Sequence, residues 1–189
     1  INGAIRGIGG IYNRSGSFDG INDYVLVNNL TLTNSTGFTL GFWFKTRDNR
    51  SVRRIVEHDW RSGFDGGTFM TQIIPRGEVG GTLNFQDGTQ AFLSVNGTSI
   101  APLYWNHFAI TYDGAFKIYL NGFESGSIYV DKPLKLGTRN LRIGSGAAGI
   151  SFNGSIDEVV IYNRGLSSAE INQMYINQSQ KLSSVYPDY

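Results

Sequence analysis

The chain has 189 residues, with 25 Gly, 12 Phe and 10 Tyr, but only 16% charged residues and no Cys. Its formal charge of +1 and its two His argue against a nucleic-acid partner and a His-rich metal centre, and the missing Cys excludes disulfides and thiol chemistry. No apolar run is long enough to span a bilayer, and the length suits one domain with a full core.

Asx-Gly pairs punctuate the chain and predict turns between many short strands. Both residues tolerate a left-handed backbone, so each pair is a strong local turn signal. Seven of these pairs are Asp19-Gly20, Asp65-Gly66, Asp87-Gly88, Asn96-Gly97, Asp113-Gly114, Asn121-Gly122 and Asn153-Gly154. This spacing is typical of an all-β sandwich or barrel.

In chain order, apolar alternation predicts strands in Tyr24–Val27, FTLGFWFKT, Arg54–His58, Thr68–Ile74, Thr82–Phe85, Ala91–Val95, WNHFAITYDG, FKIYLNG, Glu124–Val130, Asn140–Ile143 and Gly154–Tyr162. FTLGFWFKT places Phe38, Leu40, Phe42 and Phe44 on one face, which we assign to the space between two sheets. The strands on either side of Asp113-Gly114 are expected to form a tight hairpin. Trp43, Trp105 and His107 are expected to be core or sheet-face residues.

One short C-terminal helix is predicted after the last strand. Ser167 and Glu170 have the spacing of a capping box, and an apolar stripe over about ten residues follows them. Beyond Asn177 the chain is polar, so we expect one domain over residues 1–177 and a tail or linker over 178–189.

Four segments in this order resemble a known family: GSFDGINDYV, FTLGFWFKT, WNHFAITYDGAFKIYLNG and GSIDEVVIYNRGLSSAEI. The chain from Ile8 to Asn177 is similar to the laminin-G-like, concanavalin A-like jelly roll in its bacterial and archaeal form. The resemblance implies a two-sheet antiparallel sandwich whose first and last strands pair. It also implies an accessory module of a larger extracellular protein that binds glycans or proteins, often with calcium.

Catalysis is not expected. The glucanases of this fold need two carboxyl groups on one strand face. Glu57-His58-Asp59 is the nearest match, but no third carboxylate follows at the spacing that the glucanase signature needs. Asp157 and Glu158 are adjacent, so they should point to opposite faces of a strand. The Gln-x-His strand of the lyases and the G-x-S-x-G motif are absent from the sequence.

The segment EHDWRSGFDGG, residues 57–67, is the candidate ligand site. Trp60 lies in a polar, Gly-punctuated loop, where its ring could cover the apolar face of a sugar while charged neighbours bind the hydroxyls. The alternative is that Trp60 folds back and caps the sandwich. The predicted ligand residues are His58, Asp59, Trp60, Arg61, Phe64 and Asp65.

Five of the 11 Arg fall between Arg47 and Arg61. A solvated, salt-bridged loop is one interpretation of this cluster. A patch that binds acidic glycans through bidentate contacts is the other.

A structural calcium is predicted between Asp19 and Asp157. If the first and last strands pair, as the resemblance implies, these carboxylates can approach each other and join carbonyls of Gly-rich turns. Asn22 and Asp23 are weaker candidate ligands. The alternative is an Asx-turn at Asp19 and acceptance of backbone N–H groups by Asp157.

Candidate glycosylation sequons number more than chance predicts, although turn chemistry also enriches Asn beside Gly, Ser and Thr. They begin at Asn13, Asn29, Asn34, Asn49, Asn96, Asn153 and Asn177. Together these features predict a non-catalytic carbohydrate-binding or adhesion module at a cell surface or outside the cell. A protein-binding or structural module is the alternative, and a glycoside-active enzyme is a third.

Overall fold

The computed structural model describes residues 2–8, 10–12, 14–58, 67–95, 100–146 and 149–185. Within these ranges the chain forms thirteen strands and one helix. In chain order they are β1 Ile5–Ile8, β2 Arg14–Asp19, β3 Val25–Leu32, β4 Phe38–Thr46, β5 Arg53–His58, β6 Phe69–Ile74, β7 Glu78–Asn84, β8 Gln90–Ser94, β9 Asn106–Tyr112, β10 Ala115–Leu120, β11 Phe123–Tyr129, β12 Gly137–Ile143, β13 Asn153–Tyr162 and α1 Ser168–Val185.

The strands form two antiparallel sheets, as predicted. The seven-stranded sheet has the order β1-β2-β13-β4-β9-β10-β11, and the six-stranded sheet has the order β3-β12-β5-β6-β7-β8. The last strand, β13, pairs with β2, which ends at Asp19, and β1 lies beyond β2 at the edge of the sheet. The pairing that the resemblance implied is therefore confirmed for β2, the second strand, and not for β1.

The main core lies between the two sheets. Phe38, Leu40, Phe42 and Phe44 all face it and are almost fully buried, as their alternation predicted. Phe38 stacks on Phe69 of the opposite sheet with ring centroids 4.9 Å apart. Each fully buried large apolar side chain contributes about 1.5–3 kcal/mol relative to an exposed one, so packing stabilises a sandwich that has no disulfide.

A second apolar layer lies on the outer face of the seven-stranded sheet, where α1 packs. The Trp43 ring stacks on Tyr175 of α1 with centroids 5.5 Å apart, and His107 lies beside both rings. Trp43 and His107 point away from the main core because they alternate with Phe42, Phe44 and Phe108 along their strands.

The predicted end of the helix was wrong. Helix α1 continues to Val185 instead of ending near Asn177, so most of the expected tail is helical. Gln178, the first residue of that tail, is only 9% exposed because its amide accepts a hydrogen bond from Trp43. A polar residue thus continues the buried stripe, and hydropathy alone did not reveal it.

The predicted turns are mostly confirmed where the structure describes them. Positive φ occurs at Gly20, Gly88, Gly114 and Gly122, and β9 and β10 form the expected hairpin around Asp113-Gly114. The turn at Asn153-Gly154 was wrong, because both residues lie in β13. A Cβ on Gly154 would come 2.1 Å from the carbonyl oxygen of Lys45, so glycine permits this close strand pairing. Asp65-Gly66 and Asn96-Gly97 lie outside the described residues.

Candidate functional site

The sandwich has two ends that the β5 strand connects. At one end, which we call the β5–β6 end, β5 finishes at His58 and β6 begins at Phe69. At the opposite end, which we call the β4–β5 end, β4 finishes and β5 begins. The predicted ligand loop leaves the β5–β6 end. Its residues Asp59, Trp60, Arg61, Phe64 and Asp65 lie outside the described residues, so its flanks carry the structural information.

His58 was expected to line a binding surface, and the structure places it in the interior instead. Its side chain is 0% exposed, and its ring stacks on Phe69 with centroids 5.7 Å apart. Nε2 lies 3.1 Å from the carbonyl oxygen of Leu30, and Nδ1 lies 3.3 Å from Oγ1 of Thr68. The inward orientation follows from its register opposite Leu141 on the core face of β12.

A groove of about 390 Å³ opens at the β5–β6 end, and we call it the end groove. It lies between the end of β3, the segment before β12 and the end of β13. Its lining residues are Leu30, Thr31, Leu32, Thr33, Asn34, Gly37, Phe38, Leu134, Leu136, Ile161, Tyr162 and Asn163. The volume falls within the roughly 300–1,000 Å³ of small-molecule sites.

The floor and the rim of the end groove differ in chemistry. Leu32, Phe38 and Leu134 are buried at its base, whereas Tyr162 is 40% exposed and offers a ring to solvent. Asn34 donates from Nδ2 to the carbonyl oxygen of Asn163 at 2.7 Å and accepts from Thr36, so it holds the rim in shape. The groove therefore combines an apolar floor with hydroxyl and amide groups.

Both flanks of the predicted loop are bonded to the rim of this groove. His58 contacts Leu30, a lining residue, and Thr68 Oγ1 donates 2.5 Å to the carbonyl oxygen of Lys135, between two lining leucines. The described residues on either side of 59–66 therefore lie beside the groove. The groove could not be predicted from the sequence because its walls come from four segments that are distant along the chain.

The predicted calcium pair is not brought together. Asp19 lies opposite Asn153 in the β2–β13 ladder, whereas Asp157 lies opposite Trp43 on the other side of β13. Asp157 lies four positions after Asn153 along β13, which corresponds to about 13 Å. The prediction that the two strands pair was right. Their register, however, places the Asp19 and Asp157 carboxylates too far apart to bind one ion.

Each carboxylate of that pair makes the backbone contacts that the alternative interpretation described. Ile21 N donates to Oδ1 of Asp19 at 2.8 Å, which forms an Asx-turn. Asp157 accepts from Ile11 N at 2.7 Å and from Glu158 N at 2.9 Å. Within the residues described, no group of three or more His, Asp or Glu side chains is positioned to hold a metal.

Asp157 and Glu158 lie next to each other at an irregular point of β13. A β-bulge interrupts β13 at this point, and Glu158 has a φ of 50°. Burial raises the pKa of Asp157, although its two backbone donors oppose the rise, and burial with the nearby Asp157 charge raises the pKa of Glu158. The Asp157 carboxylate accepts from Ile11 N, so the turn between β1 and β2 partly covers it.

Two arginines of the cluster, Arg53 and Arg54, differ in their surroundings: the first forms a salt bridge and the second lies on the outer face of the six-stranded sheet. Arg53 pairs with Asp48 at 2.8 Å, as the salt-bridged interpretation expected. Burial lowers the pKa of Arg54, and the Glu57 carboxylate opposes this. Arg142 lies opposite Glu57 and its guanidinium is 5.1 Å from the Tyr24 ring centroid. Arg61 lies outside the described residues.

The sequon asparagines occupy different environments. Asn29 and Asn177 have exposed side chains. Asn34 and Asn49 donate from Nδ2 to backbone carbonyls, and Asn153 lies within β13. Asn13 and Asn96 lie outside the described residues. No helix in the described part of the chain has the length and apolar character to cross a membrane.

The fold is similar to several solved binding domains. A native heptameric SAP-like pentraxin from Limulus polyphemus matches with a TM-score of 0.67 and 17% identity over 88% of this chain and 83% of its own. The botulinum neurotoxin serotype D binding domain matches with a TM-score of 0.70 and 18% identity. The binding domain of Paraclostridial Mosquitocidal Protein 1 matches with a TM-score of 0.73 and 14% identity.

These likenesses concern the fold. Each toxin domain match covers 92% of this chain, but the chain spans only 45% of each toxin domain. A search of curated protein sequences finds no match. A family model described as the concanavalin A-like lectin/glucanases superfamily matches residues 19–172, more than three quarters of the chain. The chain therefore belongs to the concanavalin A-like lectin/glucanase superfamily, as the resemblance of its sequence segments indicated.

Proposed function

We propose that this domain is a non-catalytic carbohydrate-binding module of an extracellular or cell-surface protein, and that its ligand occupies the end groove beside residues 59–66. The observation that carries the proposal is the end groove itself. It joins an apolar floor to a polar rim, and the described flanks of the predicted ligand loop lie beside it.

The lining of the end groove favours a neutral sugar. None of its twelve residues is Asp, Glu, Lys, Arg or His, so an anionic ligand would find no opposite charge there. A sugar ring presents an apolar C–H face and a ring of hydroxyls. The partly exposed Leu30 and Leu136 suit the first, and the exposed groups of Thr31, Thr33 and Asn163 suit the second.

Tyr162 is the aromatic residue of the groove that a sugar can reach. It ends β13, where the strand leaves the sheet, and its partial exposure leaves one ring surface available. An aromatic ring contributes apolar contact with few rotatable bonds, and its hydroxyl adds a hydrogen bond. Trp60 of the predicted ligand loop is proposed as a second aromatic contact because of its sequence setting.

A glycan array probed with the full chain, with and without calcium, tests the proposal. We expect Tyr162→Ala to lower binding to neutral glycans at least tenfold, which corresponds to about 1.4 kcal/mol. Tyr12→Ala is the matched control, because Tyr12 is 51% exposed and lies in the turn between β1 and β2. Unchanged binding by both Tyr162→Ala and Trp60→Ala would refute this site.

A protein-binding or structural module is the second candidate, and one feature favours it. The edge strand β11 exposes Phe123 by 68% and Tyr129 by 77%, with Ile128 between them at 44%. Exposed apolar edge strands are common sites of strand addition. An array without any glycan signal, together with a partner whose binding Tyr129→Ala abolishes, would favour this function instead.

Calcium and a surface location belong to the proposal as separate predictions. The corrected register leaves Asp19 with Asp23, whose Oδ2 accepts from Asp19 N at 2.9 Å, as the nearest pair of carboxylates at that turn. The sequons at the exposed Asn29 and Asn177 support a surface location. Intact mass spectrometry of native material tests their glycosylation.

A further inference from the structure

Three loops at the β4–β5 end form one continuous surface, which we call the β4–β5 rim: residues 46–52, 75–77 and 100–104. Backbone and side-chain hydrogen bonds join them. Leu103 N donates to the Thr46 carbonyl at 2.9 Å, Ile100 N to the Gly77 carbonyl at 2.8 Å, and Asn49 Nδ2 to the Ile100 carbonyl at 3.4 Å. The loops therefore hold fixed positions relative to one another.

The β4–β5 rim presents apolar side chains to solvent. Leu103 is 65% exposed, Tyr104 is 60% exposed and Val52 is 37% exposed. Leu103 also has a φ of 70°, a backbone region that bulky L residues rarely adopt. Leu103 thus has a strained backbone, and its apolar side chain gains no burial in return. This combination points to a role in binding instead of in stabilising the fold.

Exposed arginines occur in two of the three loops of the β4–β5 rim. Arg47, Arg50 and Arg76 are exposed, and Asp48 is the one acidic residue of the three segments. The Asp48 carboxylate already accepts from Arg53 at 2.8 Å and from Arg50 N at 2.9 Å. The ion pairs of the described residues leave Arg47, Arg50 and Arg76 without a carboxylate. A net charge of +1 for the whole chain conceals this local excess.

We propose that the β4–β5 rim docks onto an anionic lipid bilayer, with Leu103 and Tyr104 in the interfacial layer and the arginines on lipid phosphates. Aliphatic and tyrosine side chains at loop tips gain contact with acyl chains and headgroups, and each nearby arginine adds attraction to an anionic surface. A soluble sulfated or phosphorylated ligand would satisfy the arginines but would leave Leu103 and Val52 in water. A bilayer accounts for both features.

This docking goes beyond the proposed glycan recognition and uses the opposite end of the sandwich. With the β4–β5 rim on a membrane, the end groove faces away from the bilayer and stays open to solvent. The two proposals can therefore fail independently, because variants of one end leave the other unchanged.

Vesicle co-sedimentation of the full chain tests the docking. We use phosphatidylcholine vesicles with and without about one third phosphatidylserine, at low and high salt. Binding is expected only to the anionic vesicles, and high salt should weaken it. Arg50→Gln with Arg76→Gln should lower partitioning about fivefold per arginine. Arg6→Gln with Arg14→Gln, exposed arginines of β1 and β2, is the matched control.

Leu103→Gly separates docking from folding. Glycine accepts positive φ, so this variant should keep or raise the melting temperature while it lowers vesicle binding about tenfold. Tyr104→Ala should also lower binding, and Tyr12→Ala in the turn between β1 and β2 should not. Equal sedimentation with neutral and anionic vesicles, or undiminished binding by the rim variants, overturns the proposal. Binding of heparin or a protein through the rim without vesicle binding overturns it too.

Discussion

The indole Nε1 of Trp43 donates a 2.6 Å hydrogen bond to Oε1 of Gln178, and this contact joins the centre of the seven-stranded sheet to the second half of α1. Both side chains are buried. The indole N–H would otherwise be an unsatisfied donor beneath the helix, and the amide would be an unsatisfied acceptor. The contact therefore makes the later turns of α1 part of the domain.

Replacing Gln178 should loosen the helix. Gln178→Met keeps the side-chain length but removes the acceptor, and leaving a buried donor unpaired costs about 1–3 kcal/mol. We expect the free energy of unfolding to fall by about that amount in urea denaturation followed by tryptophan fluorescence. Gln173→Met, an exposed glutamine of the same helix, should change it by less than about 0.5 kcal/mol. Equal effects of both variants would show that the contact adds nothing specific.

His107 should make the domain less stable in mild acid. Burial beneath α1 lowers its pKa from 6.5 to about 4, and its Nδ1 has no hydrogen-bond partner among the described residues. The neutral ring is therefore favoured in the folded state, so stability from this group is complete above about pH 6.5 and is lost as the pH falls towards 4. The loss amounts to at most about 3 kcal/mol.

Urea denaturation at several pH values checks this prediction. His107→Gln should flatten the slope of the free energy of unfolding between pH 6.5 and 4, because an amide does not titrate there. Carboxyl groups also titrate in this range, and the raised pKa values of Asp157 and Glu158 act in the opposite direction. The slope of the free energy of unfolding against pH is therefore compared between the parent chain and His107→Gln. Parallel slopes would contradict the role of His107.

Asp157 should stabilise the fold without a metal. Its carboxylate accepts two backbone N–H groups, and Asp157→Ala leaves both donors without this partner, at a cost of about 1–3 kcal/mol each at most. We expect the same fall in melting temperature with a chelator and with excess calcium. Calcium stabilisation of the parent chain that disappears in Asp157→Asn would instead restore the metal role predicted from the sequence.

The capping box should contribute to the docking of α1. Ser167 N donates to Oε2 of Glu170 at 2.8 Å, and Glu170 N donates to Oγ of Ser167 at 3.3 Å. Ser167→Ala removes the second bond and should lower the free energy of unfolding by about 1 kcal/mol in urea denaturation. Ser127→Ala on the exposed edge of β11 is the control. No difference between the two would show that the cap is dispensable.

Patterns that depend on neighbouring residues predicted the fold well. The period-2 alternation of Phe38, Leu40, Phe42 and Phe44 is a local property, and the structure places all four in the core. The Asp113-Gly114 hairpin and the capping box also depend on a few adjacent residues, and both are confirmed. Gly154 broke the rule because a neighbouring strand, rather than a turn, requires glycine there.

The candidate site could not be predicted in the same way. His58 is the last residue of β5, next to the predicted loop, but its position in the strand directs its side chain inward against Phe69. Asp19 and Asp157 lie on pairing strands, yet the register separates them along the ladder. The end groove brings together Leu30, Leu134 and Tyr162, which are remote in the sequence.

The sequence by itself determined the all-β class, the strand faces, the capped helix and the family, because side-chain period and turn chemistry act over a few residues. Only the tertiary structure decided the register of β2 on β13, the buried position of His58 and the extension of α1 past Gln178. It also decided the two surfaces at opposite ends of the sandwich. Those features depend on contacts between distant segments, which form only when the two sheets and the helix pack.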